Sequence, residues 1–374
     1  MLIQLALTGL LAALLPLSIV WVSRDSDKYR KLAWVTLFLT FDLIMFGAFT
    51  RLTDSGLGCP DWPGCYGHAN PLQAHESISA AEAAMPTGPV TVMKAWIEMI
   101  HRYLAMAVGI LIIALAIIAW RNWLKSGRSD RRFMPLLPSL LFFFVCLQGA
   151  FGAWTVTLKL QPVIVTTHLL LGMALMAMLT WFVARQSHHA PVASKAFALR
   201  VPAMSALAVL AVQIALGGWV STNYAALACM DFPLCHGNVI PEMDFGNGFT
   251  LWRHLGQTAN GEYLPFPALT AIHWTHRNFA FVVLAVVAFA GHKALRIDGL
   301  QKNGRWLLIV AGLQLVTGIS TIFLQWPLVL AVAHNGGAAL LLLLLVMLNY
   351  KIGISARSVA DGVATHLAGS MRSK

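Results

Sequence analysis

The amino-acid sequence predicts an all-α polytopic membrane protein, with two repeated four-helix bundles and one extra N-terminal transmembrane helix. Three observations predict this class. The chain of 374 residues is 58% hydrophobic and only 11% charged, whereas a soluble domain carries about a quarter charged residues. It contains nine apolar stretches of membrane-spanning length, and a pattern of residues recurs between its two halves. Because a charge in hydrocarbon is costly, the low charge content alone indicates a chain embedded in a bilayer.

Each of the nine apolar stretches is long enough to cross, or nearly cross, the hydrocarbon layer. They are residues 2–22, 33–50, 100–120, 134–156, 162–184, 202–220, 272–290, 306–325 and 328–350. The first stretch lacks a basic segment before it and a small-residue cleavage site, and its apolar core is too long for a signal peptide. We therefore expect it to remain in the protein as a transmembrane helix.

The basic residues indicate how the chain is oriented. Of its 26 Lys and Arg residues, 20 lie in alternate connections, at 23–32, 121–133, 184–200, 291–305 and 351–374. Cytoplasmic loops carry such an excess. We therefore predict a multi-pass protein of a bacterial inner membrane, with Met1 in the periplasm and Lys374 in the cytoplasm. Topology accounts for the net charge of +11, and we see no nucleic-acid-binding module and expect no nucleic-acid partner.

Two long outward connections carry the same seven-residue pattern, in which Cys, Asp, an aromatic residue, Pro and Cys recur at fixed offsets. The two copies, 170 residues apart, read Cys59-Pro60-Asp61-Trp62-Pro63-Gly64-Cys65 and Cys229-Met230-Asp231-Phe232-Pro233-Leu234-Cys235. Chance rarely produces such a match. Internal repeats are common in membrane proteins and place sites at equivalent points of each half.

The paired cysteines face an oxidising compartment in this topology, so we expect Cys59–Cys65 and Cys229–Cys235 disulfides. Only six positions separate the cysteines of a pair, and closing so short a loop costs little entropy. The disulfides are either structural or redox-active. A metal site formed by Cys59, Cys65 and His68 is a less favoured alternative.

The repeat continues inside the spans and divides the chain. The matched elements are Glu98-x-x-His101-Arg102 with His273-x-x-His276-Arg277, and Gln148 and His168 with Gln314 and His334. We therefore predict an extra helix and basic loop at 1–32, a first half at 33–200, a second half at 201–350 and a cytoplasmic tail at 351–374.

Four histidines, one pair in each half, are the candidate ligands. We expect His101 and His276 to begin the second helix of each half, and His168 and His334 to lie about 10 Å into the fourth. Two imidazoles from different helices at one depth suit the two axial positions of haem iron. Zinc would require four compact ligands. A proton relay remains an alternative, although it does not explain why the pairing is duplicated.

Arg102 and Arg277 directly follow the first ligand candidate of each half. A guanidinium pairs bidentately with a carboxylate, so we expect both to contact haem propionates. The alternative is an interfacial Arg whose charge reaches the water. The other histidines are weaker candidates. His273 either packs against its neighbours or shares a proton. Four more are expected to be solvated loop residues, namely His68, His236, His75 and His254.

Taken together, these motifs resemble the haem A synthase family. The resemblance is carried by Gly47-Ala48-Phe49-Thr50-Arg51-Leu52-Thr53-Asp54-Ser55-Gly56-Leu57-Gly58 and the Cys59–Cys65 segment that follows, by Glu98-x-x-His101-Arg102, by His168, by His276-Arg277, and by His334-Asn335-Gly336-Gly337. It covers residues 33–350. The helix at 2–22 is an addition to the usual eight-helix plan and looks like the arrangement in some proteobacterial members.

The resemblance implies that the protein oxidises a ring methyl of haem O to the formyl of haem A, which serves cytochrome oxidases. It implies that His276 and His334 ligate a haem b cofactor, and that His101 and His168 belong to the half that takes haem O. The haem carries the oxidation, and the protein supplies orientation and electrostatics. The implied partners are haem O, an upstream haem O synthase and an electron acceptor that the sequence does not identify. A homo-oligomer remains open.

Glu98 is the catalytic candidate because it distinguishes the two halves. It precedes His101 by three residues and so shares a helix face with it, whereas the second half has His273 at this position. A carboxylate beside a methyl group that loses electrons and protons can act as a base or stabilise positive charge. The alternative is an interfacial Glu that caps the helix start or pairs with Arg102.

Two other functions would use the same histidines. A di-haem b electron-transfer cytochrome predicts two equivalent, permanent haems and no special acid beside one of them. A haem carrier or assembly chaperone predicts reversible loading and no modified haem. Identification of the haems extracted from the purified protein distinguishes the three.

Overall fold

A computed structural model describes residues 1–372 of the chain, with side chains as far as Ser355. Within this part the chain forms eleven α-helices. They are α1 (Leu2–Val22), α2 (Lys28–Leu52), α3 (His75–Ala84), α4 (Val92–Lys125), α5 (Leu136–Thr157), α6 (Pro162–Gln186), α7 (Arg200–Thr222), α8 (Phe245–Gly248), α9 (Phe266–Leu295), α10 (Gln301–Phe323) and α11 (Leu328–Arg372).

Nine of the helices in residues 1–372 are long and apolar enough to cross a membrane, namely all except the short loop helices α3 and α8. The predicted class, an all-α polytopic membrane protein with nine spans, is therefore confirmed. The last helix continues beyond the predicted span at 328–350, through most of the predicted tail at 351–374, to Arg372. Residues 373–374 of that tail lie outside the described part of the chain.

Several helices begin earlier than the predicted spans, because their first turns are polar. Helix α2 begins at Lys28 rather than 33, since the Asp27 carboxylate accepts a hydrogen bond from the amide of Arg30 at 3.0 Å and caps the helix. The hydroxyl of Thr91 caps α4 in the same way, at 3.2 Å from the amide of Lys94. Such caps satisfy amides that have no partner inside the helix. The first connection is therefore short, at 23–27.

The long helices of each half form a closed ring of four. In the first half α2 packs against α4, α4 against α5, α5 against α6, and α6 against α2. In the second half α7, α9, α10 and α11 follow one another in the same order and close in the same way. The halves meet where α11 packs against α2 and α6, and where α6 packs against α7.

One apolar core runs through both rings. Its fully buried side chains include Leu111 and Leu115 of α4, Met176 of α6, Leu307 of α10 and Leu345 of α11. Because lipid tails are as apolar as leucine, close van der Waals packing holds these helices together in a bilayer, rather than removal of apolar surface from water.

Helix α1 packs on the outside of the first ring, against α4 and α2. The contact with α4 is close, because a methyl group added to Gly9 would lie 3.0 Å from Cβ of Met106. At its N-terminal end, Leu5 is buried in a cluster with Cys59 and Cys65. The start of the chain therefore lies on the same face of the bundle as the first cysteine loop.

Candidate functional site

The four candidate ligands lie on four different helices and are brought together in two pairs. His101 is on α4 and interacts electrostatically with His168 on α6. His276 is on α9 and interacts in the same way with His334 on α11. Each ring of four helices therefore encloses one pair of imidazoles.

The expectation that His101 and His276 begin their helices is wrong. His101 lies nine residues after the start of α4, and His276 lies ten residues after the start of α9. At 1.5 Å per residue, both are about 14–15 Å from the helix start. The first turns of α4 and α9 extend beyond the apolar stretch, so the hydropathy pattern marked where the apolar part begins rather than where the helix begins.

Each of the four imidazoles rests against a glycine of a neighbouring helix. A methyl group added to that glycine would lie 3.0–3.2 Å from the ring. The pairs are Gly47 with His101, Gly152 with His168, Gly217 with His276, and Gly318 with His334. A side chain at that position would push the ring away by at least a few tenths of an ångström. The four glycines therefore form a cradle that fixes where each ring can lie.

Polar side chains hold the two histidines of the second half. The amide nitrogen of Gln213 lies 3.2 Å from Nδ1 of His276 and donates to the carbonyl of the same residue at 3.1 Å. The hydroxyl of Thr317 lies 2.9 Å from Nδ1 of His334. The Gln314 amide donates to the carbonyl of His334 at 3.0 Å.

A cavity opens between the two histidines of the second half. Both rings line it, together with the cradle glycines Gly217 and Gly318, and apolar side chains from α6, α7, α9 and α10 complete its wall. Arg277 lies on its wall as well. A concave, mostly apolar site with a few convergent polar groups is typical of a cofactor pocket.

Glu98 is buried, and both of its carboxylate oxygens have partners. One accepts a hydrogen bond from the amide of Cys59 at 2.7 Å, and the other forms an ion pair with Arg102. His273 does the corresponding task in the second half, where its Nδ1 accepts from the amide of Cys229 at 3.1 Å. Both residues therefore hold the first cysteine of an outer loop to the helix that carries a ligand candidate.

Arg102 and Arg277 hold the same two loops through hydrogen bonds to backbone carbonyl oxygens of the loops. Arg102 donates to the carbonyl oxygens of Asp61, Pro63 and Gly64. Arg277 donates to those of Asp231, Pro233 and Leu234. The sequence did not reveal this task, because it joins residues some 40 positions apart. Contact of either guanidinium with a haem propionate stays a prediction.

The two cysteine loops have the same internal structure. Each contains one disulfide, Cys59–Cys65 or Cys229–Cys235. The carboxylate of Asp61 accepts from the amides of Tyr66 and Gly67, and that of Asp231 accepts from the amides of His236 and Gly237. These amides hold the pKa of Asp231 below its usual range. The recurring Asp is thus a loop-forming residue, a role that was not predicted from its fixed offset.

The remaining histidines take no part in the two pairs. His236 contacts the carbonyl of Ala228 through Nε2 at 2.7 Å. Within the described part of the chain, no three His, Cys, Asp or Glu side chains converge as a metal cluster would require. Cys59 and Cys65 are joined to each other, so they do not form a thiolate site with His68.

Sequence reasoning missed the cradle glycines and the role of Gln213, although a signal for both was present. The spacing Gln-x-x-x-Gly occurs at Gln148/Gly152, Gln213/Gly217 and Gln314/Gly318. Residues four apart lie on one helix face. In each case the glycine contacts a candidate ligand, and in the second half the glutamine contacts one as well.

The two halves are joined at the outer face by side chains at equivalent positions of the repeat. The Arg51 guanidinium donates to the carbonyl of Ser221 at 2.7 Å and lies 4.1 Å from the ring centre of Tyr224. The Tyr224 hydroxyl donates to Asp54 at 2.5 Å.

Comparison with known proteins places this architecture in a family. A model of the cytochrome oxidase assembly proteins, COX15-CtaA, matches residues 30–346. The heme A synthase of Shewanella oneidensis is 39% identical over 328 residues, which cover 86% of this chain and 96% of the relative. The heme A synthases of Bradyrhizobium diazoefficiens and Mesorhizobium japonicum are each 30% identical, over 87% and 85% of this chain and 92% and 90% of their own lengths.

Proposed function

This chain belongs to the COX15-CtaA family of cytochrome oxidase assembly proteins and acts in haem A synthesis, and we propose that it is the oxidoreductase that converts a ring methyl of haem O to the formyl of haem A. The observation that carries the proposal is the two pairs of buried imidazoles, one in each ring of helices. Relatives that match this chain through both rings are named heme A synthases.

The residues of the second half suit a haem b cofactor. Two imidazoles from α9 and α11 would hold the iron, glycines at Gly217 and Gly318 leave room beside them, and an apolar cavity lies between them. When bound, haem b supplies a redox-active iron. The task of the protein is to fix the ligand rings, keep water from the apolar wall and set the electrostatics of the site.

We assign the substrate haem O to the first half, between His101 and His168. Glu98 lies on the same helix as His101, one turn nearer the outer loop. The Cys59 amide and Arg102 hold its carboxylate in one place. A fixed carboxylate there can receive a proton released as the methyl group is oxidised, or stabilise positive charge that develops on the ring.

The further partners and the location follow from this chemistry and from the charge pattern. The chain is a multi-pass membrane protein. We place it in a bacterial inner membrane with the cysteine loops and Met1 outside, because 20 of its 26 basic residues lie in the alternate connections. Oxidation of the methyl group to a formyl group also requires an electron acceptor and an oxygen atom, taken from water or from dioxygen, and supply of the substrate requires a haem O synthase.

The test is to identify the haems in protein purified from cells that make haem O. We expect haem b together with haem O or haem A. His276→Ala and His334→Ala should lose the stably bound haem b, because each removes an axial ligand. His101→Ala and His168→Ala should keep haem b and make little haem A. His75→Ala, which changes an exposed histidine of α3, is the control.

Two outcomes would contradict the proposal. Two equivalents of haem b with neither haem O nor haem A would identify an electron-transfer cytochrome. Reversible loading of an unmodified haem, with the same loss from all four histidine variants, would identify a haem carrier.

A further inference from the structure

The two halves can be compared position by position, because each cradle glycine marks an equivalent point of the repeat. Gly47 and Gly217 place α2 and α7 in register at an offset of 170 residues, and Gly152 and Gly318 place α5 and α10 in register at an offset of 166. The residues that lie beside the ligand rings can therefore be paired across the halves.

His334 and His168 differ in what faces Nδ1. The hydroxyl of Thr317 lies 2.9 Å from Nδ1 of His334, and the same hydroxyl reaches the carbonyl of Leu313 at 2.9 Å. Thr317 can therefore donate its own proton to Leu313 and accept one from the imidazole. At the equivalent position the first half has Phe151, and no side chain hydrogen-bonds to the buried Nδ1 of His168, whose ring interacts instead with the backbone carbonyl of Gln148.

Gln213 does not add a second acceptor. Its amide nitrogen lies 3.2 Å from Nδ1 of His276 and donates to the carbonyl of the same residue at 3.1 Å. Because that bond keeps the nitrogen of the amide toward the imidazole, Gln213 positions His276 without accepting a proton from it. The difference between the halves therefore lies at His334 and His168.

An acceptor on Nδ1 affects how an imidazole binds iron. It keeps the proton on Nδ1, leaves the Nε2 lone pair free for the metal, fixes the ring and raises its basicity. Loss of such a partner typically lowers metal affinity by about 10–100-fold. A histidine held at Nδ1 by a hydroxyl, as His334 is, is therefore the stronger and more rigid ligand, and one without such a group, as His168 is, releases its metal more readily.

We propose that Thr317 is a positioning residue that makes the second half a permanent haem site, and that its replacement by Phe151 makes the first half an exchangeable one. The inference rests on the proposed function, since a synthase must keep its cofactor while substrate enters and product leaves. Each half thus has two histidine ligands and cradle glycines, but the halves differ in the side chain that faces Nδ1 of a ligand.

The first experiment removes the acceptor in the second half. In haem-loaded protein in detergent, Thr317→Val should release haem b to excess apomyoglobin about tenfold faster than wild type. Its reduction potential should rise, because a less basic imidazole stabilises ferric iron less. Thr317→Ser should restore both values. The control is Thr180→Val, which removes a buried hydroxyl that bonds only to its own helix, at Met176.

The second experiment gives the first half an acceptor. Phe151→Thr should slow the release of haem O from this half, by about tenfold if the hydroxyl reaches Nδ1 of His168. Phe151→Val is the matched control, because it leaves the same space without a hydroxyl. Equal release rates from the Thr and Val variants would contradict the proposal.

The outcomes separate this inference from the proposed function. If wild-type protein holds haem b and Thr317→Val behaves as Thr180→Val does in both release rate and potential, the inference is wrong and the function stands. If wild-type protein holds no haem b at His276 and His334, the proposed function itself is wrong.

Discussion

Glu98 and His273 perform the same structural task with different chemistry. Each accepts a hydrogen bond from the amide of the first loop cysteine, and each precedes a ligand candidate by three residues. Only Glu98 also forms an ion pair, with Arg102. The anchoring task needs an acceptor but no carboxylate, since His273 meets it without one. The carboxylate therefore does more than anchor the loop: it pairs with Arg102, and we propose that it also acts in catalysis in the first half.

Two substitutions at Glu98 distinguish anchoring from catalysis. Glu98→His copies the second half and keeps an acceptor for the Cys59 amide, and Glu98→Gln keeps the size and one acceptor oxygen. If the carboxylate is catalytic, both proteins should fold and retain haem b, but make haem A at least about 100-fold more slowly, as is typical when a catalytic acid or base is lost. Haem A yield and haem b content are measured together.

Anchoring alone predicts a different pattern. Glu98→His would then make haem A at the normal rate, and Glu98→Ala would be the damaging change because it leaves the Cys59 amide buried without an acceptor. An unpaired buried donor costs about 1–3 kcal/mol. A normal yield of haem A from Glu98→His would contradict the catalytic role of Glu98.

Residues with conspicuous chemistry could be predicted from the sequence, whereas most of the contacts that they make could not. A histidine in an apolar stretch is rare enough to be noticed, so His101 and His168 became ligand candidates, and comparison of the two halves singled out Glu98. The bonds from Arg102 and Arg277 to loop carbonyls were not, because a carbonyl is present at every residue and carries no sequence signal. Only the fold decides which carbonyls approach a guanidinium.

At the scale of helices, small residues decide where the ligands lie. Four glycines contact the four imidazoles, which agrees with the use of small residues where membrane helices approach closely. The spans themselves were predictable from hydropathy, since only an apolar helix satisfies its backbone inside a bilayer. The starts of α2 and α4 were not, because capping by Asp27 and Thr91 extends them past the apolar part.

The glycine cradle makes a prediction with a control in the same helix. In Gly318→Ala the new methyl group lies 3.2 Å from His334, so the ring must move by a few tenths of an ångström. We expect an altered low-spin haem spectrum and haem loss about tenfold faster. In Gly312→Ala the methyl group meets nothing within 4 Å. That variant should keep the wild-type spectrum, with helix stability raised by up to about 1 kcal/mol. Identical spectra from the two variants would contradict the role of the cradle glycines in fixing the ligand rings.

At the scale of the whole molecule, the two rings are related by a repeat whose equivalent residues touch. Arg51 contacts Ser221, and Asp54 contacts Tyr224, each pair separated by 170 residues. A contact between equivalent positions lies where the two halves face each other symmetrically. Both cysteine loops therefore lie on one face of the protein, as the repeat in the sequence implied. The contact itself was not predictable, because Ser and Tyr replace Arg and Asp in the second half.

This common face sets the last prediction, which concerns the membrane. Met1 lies against the first cysteine loop, since its sulfur is 2.9 Å from where a side chain on Gly64 would begin. The N-terminus and both cysteine loops therefore share one side, and an odd number of spans carries the chain to the other. The connections that hold 20 of the 26 basic residues lie on that other side, which is the cytoplasmic side for a protein that follows the positive-inside rule.

A labelling experiment tests this topology. In a Cys146→Ser background, which leaves both disulfides intact, Ser77→Cys adds an exposed thiol in α3, and Ser129→Cys adds one in the connection between α4 and α5. A membrane-impermeant maleimide should label Ser77→Cys in intact spheroplasts and should label Ser129→Cys only after the membrane is opened. Labelling of Ser129→Cys alone in intact spheroplasts would reverse the topology and put the cysteine loops, Glu98 and the outer ends of both haem sites in the cytoplasm.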